Sequence, residues 1–291
     1  MCELCGATGA MRPFYPRYEI VQCPACELVF YAGDAEANYD ESYFKGAEYT
    51  DYVADKAIAQ RNFQRRIADL KQRQPEGGRL LEVGSAYGFF LELASRHWEV
   101  KGIDVTPEGV RYARETLGLE AIEADFLALP DEPEAYDLIC MWDTIEHLPH
   151  PARFIEKASR WLKPGGSLVV TTGDVASAVS RVRGDRWRMI HPPTHLFYFS
   201  PQTLGKAMTQ AGLEVEGVRH VGYDRSLRQI LHGVLAAGGK KTARLYDDAL
   251  AHIAPDWPIY LNLYDIMMIT AVKPGAGALP QPAAAVGHEA V

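Results

Sequence analysis

The sequence lacks an excess of positive charge and lacks a long apolar run, and each absence argues against a class of function. Its 30 Lys and Arg residues face 38 Asp and Glu residues, which gives a formal net charge of −8. Such a chain has no broad positive field to hold a nucleic-acid backbone. The apolar stretch 261–272 contains Asn262 and Asp265 and is too short to span a bilayer. With no basic segment leading into an apolar run at the N-terminus, the sequence predicts a cytoplasmic protein without a membrane segment.

Cysteine is scarce outside one short block. Of the five cysteines, four lie within the first 26 residues, with the spacing C-x2-C-x17-C-x2-C. In a reducing compartment such a cluster is typical of a metal site rather than of disulfides. Two C-x2-C pairs supply the four soft ligands that zinc binds tetrahedrally. The spacing predicts a structural zinc ribbon over residues 1–33, with the ligands Cys2, Cys5, Cys23 and Cys26.

The charge of this block bears on its role. Residues 1–33 hold two arginines against three glutamates, so the block is slightly acidic. Its aromatic side chains could stack on bases, but we expect them to cover the ribbon and dock it on the rest of the chain. These residues are Phe14, Tyr15, Tyr18, Phe30 and Tyr31. The block is therefore predicted to have a structural or substrate-gating role.

Strand and helix patterns alternate from residue 79 onward. Alternation at this spacing is typical of βαβ units and a parallel sheet. The predicted strands are 79–83, 99–103, 121–124, 136–142 and 167–172, and the predicted helices between them are 88–96, 107–117 and 151–162. After the fifth strand, a helix capped by Ser200 and Pro201 is predicted to end near Gly212.

The segments on either side complete the predicted organisation. Residues 34–76 form a tyrosine-rich lead-in with an amphipathic helix over 52–73. Two late strands, 213–223 and 260–273, are separated by a helical insertion at 226–254, which we expect to be a lid or a homodimer surface. The catalytic domain thus covers 77–273. The tail 274–291 is rich in Pro, Ala and Gly and is predicted to be disordered.

Three successive strand ends carry the groups that a nucleoside ligand needs. After the first strand, Gly84 and Gly88 let the backbone pass close to a ligand, and a helix N-terminus follows. Asp104 ends the second strand, where a carboxylate can accept both ribose hydroxyl protons. Asp125 and Phe126 end the third strand and can meet the amino group and the face of a base. Simple helix capping is the alternative role of both acids.

Residues 79–172 resemble a class I S-adenosylmethionine-dependent methyltransferase of the ubiquinone-biosynthesis type. The stretch Glu82-Val-Gly-Ser-Ala-Tyr-Gly is similar to the family's first motif, E-x-G-x-G-x-G, with Ala86 in place of the middle glycine. The stretches 143–151 and 162–168 are similar to those after the fourth strand and into the fifth. The resemblance implies an α/β fold with a Rossmann-like seven-stranded sheet and S-adenosylmethionine as cofactor. The implied cofactor residues are Glu82, Gly84, Ser85, Ala86, Tyr87, Gly88, Asp104, Val105, Asp125, Phe126, Trp142 and Asp143.

An NAD-dependent oxidoreductase is the rival enzyme class. Its fingerprint, G-x-G-x-x-G, would fall on Gly84, Ala86 and Phe89, so two of its three glycines are missing. The methyltransferase interpretation is therefore preferred.

The acceptor of the methyl group is expected at the ends of the fourth and fifth strands, where open α/β sheets bind ligands. Glu146 and His147 follow the fourth strand, and His191 and His195 lie in a proline-stiffened aromatic stretch after the fifth. His195 is the leading candidate for general base and His191 the second; structural roles remain open for all four. No Asp-Asp-Asn set for magnesium is evident, so we expect metal-free chemistry at the transfer site.

A second aromatic feature lies in the lead-in. In similar enzymes such a segment closes over the cofactor, and packing on the sheet is the alternative. The residues concerned are Tyr39, Tyr43, Phe44 and Tyr49.

The expected function is O-methylation of a small molecule or a sugar-containing metabolite. C- or N-methylation of a nucleotide-linked sugar is a second hypothesis. An RNA methyltransferase that grips RNA with the ribbon is a third, against which the acidic balance argues.

Overall fold

The computed structural model describes residues 1–34, 53, 55–226 and 257–275, which form a central sheet covered by helices and extended by a cysteine-rich module. The strands are β1 (Arg12–Tyr15), β2 (Ile20–Gln22), β3 (Val29–Tyr31), β4 (Arg79–Val83), β5 (Glu99–Asp104), β6 (Ala121–Glu123), β7 (Tyr136–Trp142), β8 (Leu162–Gly173), β9 (Phe197–Tyr198), β10 (Glu214–His220), β11 (Tyr223–Ser226), β12 (Pro258–Leu261) and β13 (Ile266–Val272). The α-helices are α1 (Lys56–Arg73), α2 (Phe89–Ala94), α3 (Pro107–Glu115), α4 (Pro151–Trp161), α5 (Ala178–Arg183) and α6 (Pro201–Gln210).

The central sheet has seven strands in the order β10-β13-β8-β7-β4-β5-β6. Strands β4 to β8 run parallel, and β13 pairs antiparallel with both β8 and β10. The predicted α/β methyltransferase fold with a seven-stranded sheet is confirmed. Strands β4 and β7 have the predicted bounds, because both are short, mostly buried and mostly apolar runs of the kind typical of a central parallel strand.

The two late strands are each interrupted, which corrects the predicted continuous strands 213–223 and 260–273. Residues 223–226 and 258–261 leave the main sheet and pair with each other as the antiparallel strands β11 and β12. Tight turns cause the breaks. At Gly222 a Cβ would lie 2.4 Å from the Leu261 carbonyl oxygen, and Tyr264 has a positive φ of 55° in a turn held by the Asn262 side chain.

The helices cover both faces of the sheet. On one face, α1 packs through Ile67 and Leu70 against α2. On the other, the fully buried Trp161 of α4 lies beside Phe126. Helix α6 begins with a capping box between Ser200 and Thr203, as the Ser–Pro pair predicted. Within the described ranges, every helix is too short or too polar to serve as a transmembrane span.

The cysteine-rich module is continuous with the catalytic part of the chain. Strands β1, β2 and β3 form an antiparallel sheet whose fourth strand is β9. Leu4 and Leu28 of the module lie in the same apolar cluster as Ile145 and Phe197. Nothing in the sequence predicted that β9 would pair with the module, because a two-residue strand shows no strand periodicity.

Some predictions lie outside the described residues. They are the tyrosine-rich segment that contains Tyr39, Tyr43, Phe44 and Tyr49, most of the insertion 226–254, and the end of the tail 274–291.

Candidate active site

A cleft of about 400 Å³ opens at the carboxyl ends of the parallel strands β4 to β7. Parallel strands place their carboxyl ends at one edge of a sheet, so residues distant in sequence meet there. All of the predicted cofactor residues line this cleft except Tyr87 and Gly88. The structure therefore brings together the three strand ends that the sequence singled out.

Tyr87 and Gly88 both pack against other side chains of the protein. Tyr87 is buried against the rings of Phe89 and Tyr112. Gly88 has a φ of +76°, and a Cβ there would lie 3.0 Å from Ala113 and Leu119 side-chain atoms. Gly88 thus has a packing reason to be glycine, and its contact with the cofactor stays a prediction.

The turn that follows β4 requires a glycine at position 84. Its φ is +80°, and a Cβ would lie 2.5 Å from the Thr144 side chain. Its N–H donates to the carbonyl oxygen of Ile103 at 2.8 Å, which ties the end of β4 to β5. The tight turn brings the backbone of Ser85 and Ala86 to the cleft wall.

Asp104 is held by three donors. Its Oδ1 accepts the N–H and the hydroxyl of Thr106 at 2.8 and 2.5 Å, and its Oδ2 accepts the Ala86 N–H at 2.7 Å. A carboxylate has about four acceptor positions. One position on Oδ2 therefore remains for a ligand, whereas the sequence predicted contacts with two ribose hydroxyls.

Asp125 and Phe126 form the wall beyond β6. The Oδ1 of Asp125 accepts the Leu127 N–H at 2.9 Å and so caps the short 3-10 helix Phe126–Ala128. Phe126 is almost fully buried, with its ring centroid 4.9 Å from that of Trp161. The capping role considered from the sequence is present for Asp125, and both residues also line the cleft.

Three buried polar atoms of the cleft lining have no hydrogen-bond partner within the described part of the chain: Glu82 Oε2, Ser85 Oγ and Trp142 Nε1. Burial raises the pKa of Glu82 well above its usual range, and the nearby charge of Asp104 raises it further. An unsatisfied buried polar atom costs about 1–3 kcal/mol. A ligand with polar groups and a positive charge, as in the predicted cofactor, fits this lining.

Arg66 is a residue that the sequence interpretation missed. It is buried on α1, and its guanidinium carbon lies 5.3 Å from the ring centroid of Trp142 and 5.2 Å from that of Tyr223. Its Nη2 is buried without a partner in the described ranges. The available signal was an arginine on the same helical face as Phe63 and Leu70, the face that packs inward.

Asp143 is held in place by hydrogen bonds to the Thr171 and Tyr223 side chains. Its Oδ1 accepts the hydroxyl of Thr171 at 2.9 Å, and its Oδ2 accepts the hydroxyl of Tyr223 at 2.5 Å. It adopts a positive φ of 50°, which turns the chain out of β7 and into the segment that holds Glu146 and His147.

Glu146, His147 and His195 meet at one edge of the cleft, although the sequence treated them as two separate places. One ligand atom of each lies within 4.8 Å of the others. The rings of His147 and His195 are nearly perpendicular, with centroids 4.6 Å apart. The Leu196 N–H donates to the Glu146 carbonyl oxygen at 2.8 Å, which fixes the two segments together.

These side chains have different access to the cleft. His147 lines it, whereas Glu146 and His195 are buried behind it and His191 is exposed outside it. Burial lowers the pKa of His195 well below its usual range, and His147 and His191 lower it further. His195 therefore lies behind the cleft wall, and its role as general base stays a prediction.

The four ribbon cysteines gather in one place. The Sγ atoms of Cys2 and Cys26 are 3.5 Å apart, and those of Cys5 and Cys23 are 3.6 Å apart. A tetrahedral zinc ion with Zn–S bonds of about 2.3 Å would hold sulfur atoms about 3.8 Å apart. The donor set and its spacing therefore fit zinc.

The ribbon aromatics face the catalytic part of the chain. Phe14, Tyr15 and Tyr18 pack against the cluster that contains Trp187 and Tyr198. These rings are therefore engaged in the docking that we expected.

Known proteins match the central part of this chain in sequence. The family model described as "Methyltransferase domain" matches residues 56–218. A ubiquinone biosynthesis O-methyltransferase from Xylella fastidiosa is 32% identical over 174 residues, 55% of this chain and 70% of the relative. A protein of the same name from Bordetella bronchiseptica is 30% identical over 162 residues, 51% of this chain and 67% of the relative.

Solved structures share the fold. A S-adenosylmethionine-dependent methyltransferase from Thermotoga maritima is 21% identical, covers 79% of this chain and 97% of its own, and has a TM-score of 0.51. The cyclase SpnF is 25% identical, covers 85% and 87% of the two chains, and also has a TM-score of 0.51. Since a cyclase shares the fold, the reaction must be argued from the site.

Proposed function

Since the chain belongs to the methyltransferase domain family and is an S-adenosylmethionine-dependent methyltransferase, we propose that it methylates a hydroxyl oxygen of a small-molecule or sugar-containing acceptor. The observation that carries the proposal is the Glu146–His147–His195 cluster at the edge of the cleft. The name of the Xylella relative, an O-methyltransferase, supports the same chemistry.

Different residues of the cleft would bind different parts of the cofactor. Asp104 Oδ2 would accept one ribose hydroxyl, and Val105 and Phe126 would flank the adenine. Glu82 and Arg66 each have a buried polar atom without a partner among the described residues, and they would face the ammonium and carboxylate groups of the methionine end. The bound cofactor supplies an electrophilic methyl group on a sulfonium.

The acceptor side requires a group that removes a proton. Attack at the methyl carbon needs the acceptor oxygen about 3 Å away and on the line opposite the sulfur. A neutral hydroxyl is a poor nucleophile, and a positioned proton acceptor contributes about 10²–10⁴-fold to such a step. We assign this activation to the Glu146–His147–His195 cluster as a unit, with His147 as the member that faces the acceptor.

We also propose that the ribbon cysteines hold a structural zinc ion. Four thiolates around zinc would fix the fold of a block too small for a core of its own. The block would in turn hold β9, which follows directly after His195 and Leu196. Phe14, Tyr15 and Tyr18 pack against the rest of the chain, which leaves less of each ring for stacking on RNA bases.

The test is transfer of labelled methyl from S-adenosylmethionine to a panel of phenols, catechols, nucleotide-linked sugars and bulk RNA. NMR of the product locates the methyl group. A methyl group on oxygen of a small molecule supports the proposal. A methyl group on carbon, on nitrogen or in RNA would overturn it.

A further inference from the structure

A buried lysine lies directly behind the part of the cleft wall that contains Phe126. Lys157 of α4 is only 3% exposed, although an ammonium group is costly to bury unless acceptors and opposite charge surround it. Its Nζ donates to the carbonyl oxygen of Leu127 at 3.3 Å and to the carbonyl oxygen of Leu129. Both acceptors belong to the segment 126–129 that follows β6, so the lysine binds the main chain of the cleft wall from behind.

Aromatic rings and carboxylates complete the surroundings of the ammonium group. The Nζ of Lys157 lies 5.3 Å from the ring centroid of Phe126 and 5.1 Å from that of Trp161, within the range of cation–π attraction. Asp131 Oδ1 lies 3.9 Å from the same Nζ and accepts the Trp161 Nε1–H at 3.1 Å. Burial lowers the pKa of Lys157, whereas the charges of Asp131 and Asp125 raise it. These neighbours favour the charged form of the lysine.

Leu127 connects this lysine to the carboxylate of Asp125. The Leu127 N–H donates to Asp125 Oδ1 at 2.9 Å, and the Leu127 carbonyl oxygen accepts from Lys157. One residue is therefore held at both of its polar main-chain groups. A carboxylate has a second oxygen, so Asp125, which lines the cleft, can accept a further donor from a ligand through Oδ2.

We propose that Lys157 is a positioning residue for the adenine of the cofactor. It holds the segment 126–129 so that the Asp125 carboxylate can accept the exocyclic amino group and the Phe126 ring can pack against the base. Lys157 does not line the cleft and acts through these two residues. The assignment rests on the proposed placement of S-adenosylmethionine in the cleft.

The amino group of adenine provides the test, since hypoxanthine carries an oxygen at that position. Calorimetry gives the dissociation constants of the full-length protein for S-adenosylhomocysteine and for S-inosylhomocysteine. We expect the wild type to prefer the adenine compound about 10- to 100-fold, because the hypoxanthine compound loses a hydrogen bond to a carboxylate. Lys157→Met keeps an unbranched stem but has no donor, and its preference should fall below about threefold.

Two control variants separate positioning of the adenine from general effects on binding. Arg153→Met removes an exposed positive charge from the same helix and should keep the wild-type preference. Arg66→Lys, at the methionine end of the cleft, should weaken the binding of both compounds and leave their ratio unchanged. A general loosening of the fold would likewise weaken both compounds together.

A double substitution shows whether Lys157 acts through Asp125. Asp125→Asn alone should abolish most of the preference for adenine. Adding Lys157→Met to Asp125→Asn should then change the preference little further, because both substitutions act on one contact. Independent losses that multiply would overturn the proposed route through Asp125.

The result that contradicts the positioning role is a wild-type preference in Lys157→Met. If that variant does not fold, Lys157→Gln, which loses the charge but keeps donors, takes its place and should also show a lower preference. Equal affinity of the wild-type protein for the two compounds overturns the proposal without any variant.

The two proposals fail separately. A methyl group found on carbon, on nitrogen or in RNA would overturn O-methylation and leave the adenine preference and its dependence on Lys157 standing. An oxygen-methylated product, together with an unchanged preference in Lys157→Met, would overturn only the positioning role.

Discussion

The backbone N–H of Tyr31 donates to the carbonyl oxygen of Leu196 at 2.8 Å, and this bond joins the ribbon to the edge of the cleft. Leu196 in turn donates its own N–H to the carbonyl oxygen of Glu146. A continuous path of main-chain hydrogen bonds thus runs from β3 to the Glu146–His147–His195 cluster. The cofactor side of the cleft, by contrast, is built by β4, β5 and β6 without the ribbon.

Loss of the ribbon metal should therefore affect the acceptor side alone. We expect Cys23→Ser to lower kcat for methyl transfer at least about tenfold, because a displacement of about 1 Å at a reacting group can cost about 10²-fold. The dissociation constant for S-adenosylmethionine, measured by calorimetry, should change less than about twofold. Cys140→Ser, at a cysteine of β7 outside the ribbon, is the control for loss of a thiol. Equal losses of cofactor affinity and kcat would contradict the conclusion that the ribbon supports only the acceptor side of the cleft.

Asp104 should determine cofactor affinity. Asp104→Asn removes a charged acceptor, and hydrogen bonds to charged groups contribute about 1.5–3 kcal/mol. We expect the dissociation constant for S-adenosylmethionine to rise about 10- to 100-fold in calorimetry. Glu123→Gln, an exposed acid on the neighbouring strand β6, should bind as the wild type does. An unchanged affinity in Asp104→Asn would remove Asp104 from the ribose site.

Arg66 should anchor the methionine end of the cofactor. Arg66→Lys keeps the charge but loses the planar group that stacks on Trp142 and Tyr223. We expect about tenfold weaker cofactor binding. Arg61→Lys, at an exposed position of the same helix, is the matched control. If both variants bind equally well, Arg66 has only a packing role.

Glu82 should make the cofactor-free protein less stable as the pH rises. Burial raises the pKa of Glu82 in the folded state, so the folded protein binds a proton that the unfolded chain loses near pH 4.3. The stability that this proton contributes is complete below that pH and declines as the pH rises toward the folded-state pKa. Glu82→Gln should accordingly show a Tm advantage over the wild type that is absent near pH 4 and grows toward pH 8.

The Glu82 prediction is checked by thermal unfolding of both proteins across this pH range. Glu123→Gln should show no such trend. A Tm difference that is constant with pH would mean that Glu82 is already ionised in the folded state.

Much of the fold could be predicted from the sequence because it depends on local patterns. Apolar runs placed β4 and β7, and the Ser200–Pro201 pair placed the start of α6. The residues that line the cleft could be predicted for a similar reason, since they lie at the ends of strands that the sheet topology brings together.

The acceptor side depends on contacts that no local pattern encodes. His195 reaches Glu146 across 48 intervening residues (147 to 194), through a two-residue strand that pairs with the ribbon. The burial of Arg66 follows from the packing of α1 beside β11, and β11 was not predicted as a separate strand. Such tertiary contacts decide which histidine faces the cleft.

Single-turnover methyl transfer by His147→Ala, measured together with cofactor affinity and with His97→Ala as control, tests the role of the Glu146–His147–His195 cluster most directly. We expect the rate in His147→Ala to fall about 10²-fold or more, because the cluster activates the acceptor, while the dissociation constant for S-adenosylmethionine stays within about twofold. The control should retain both values. A wild-type rate in His147→Ala would contradict the assignment of the Glu146–His147–His195 cluster to the transfer step.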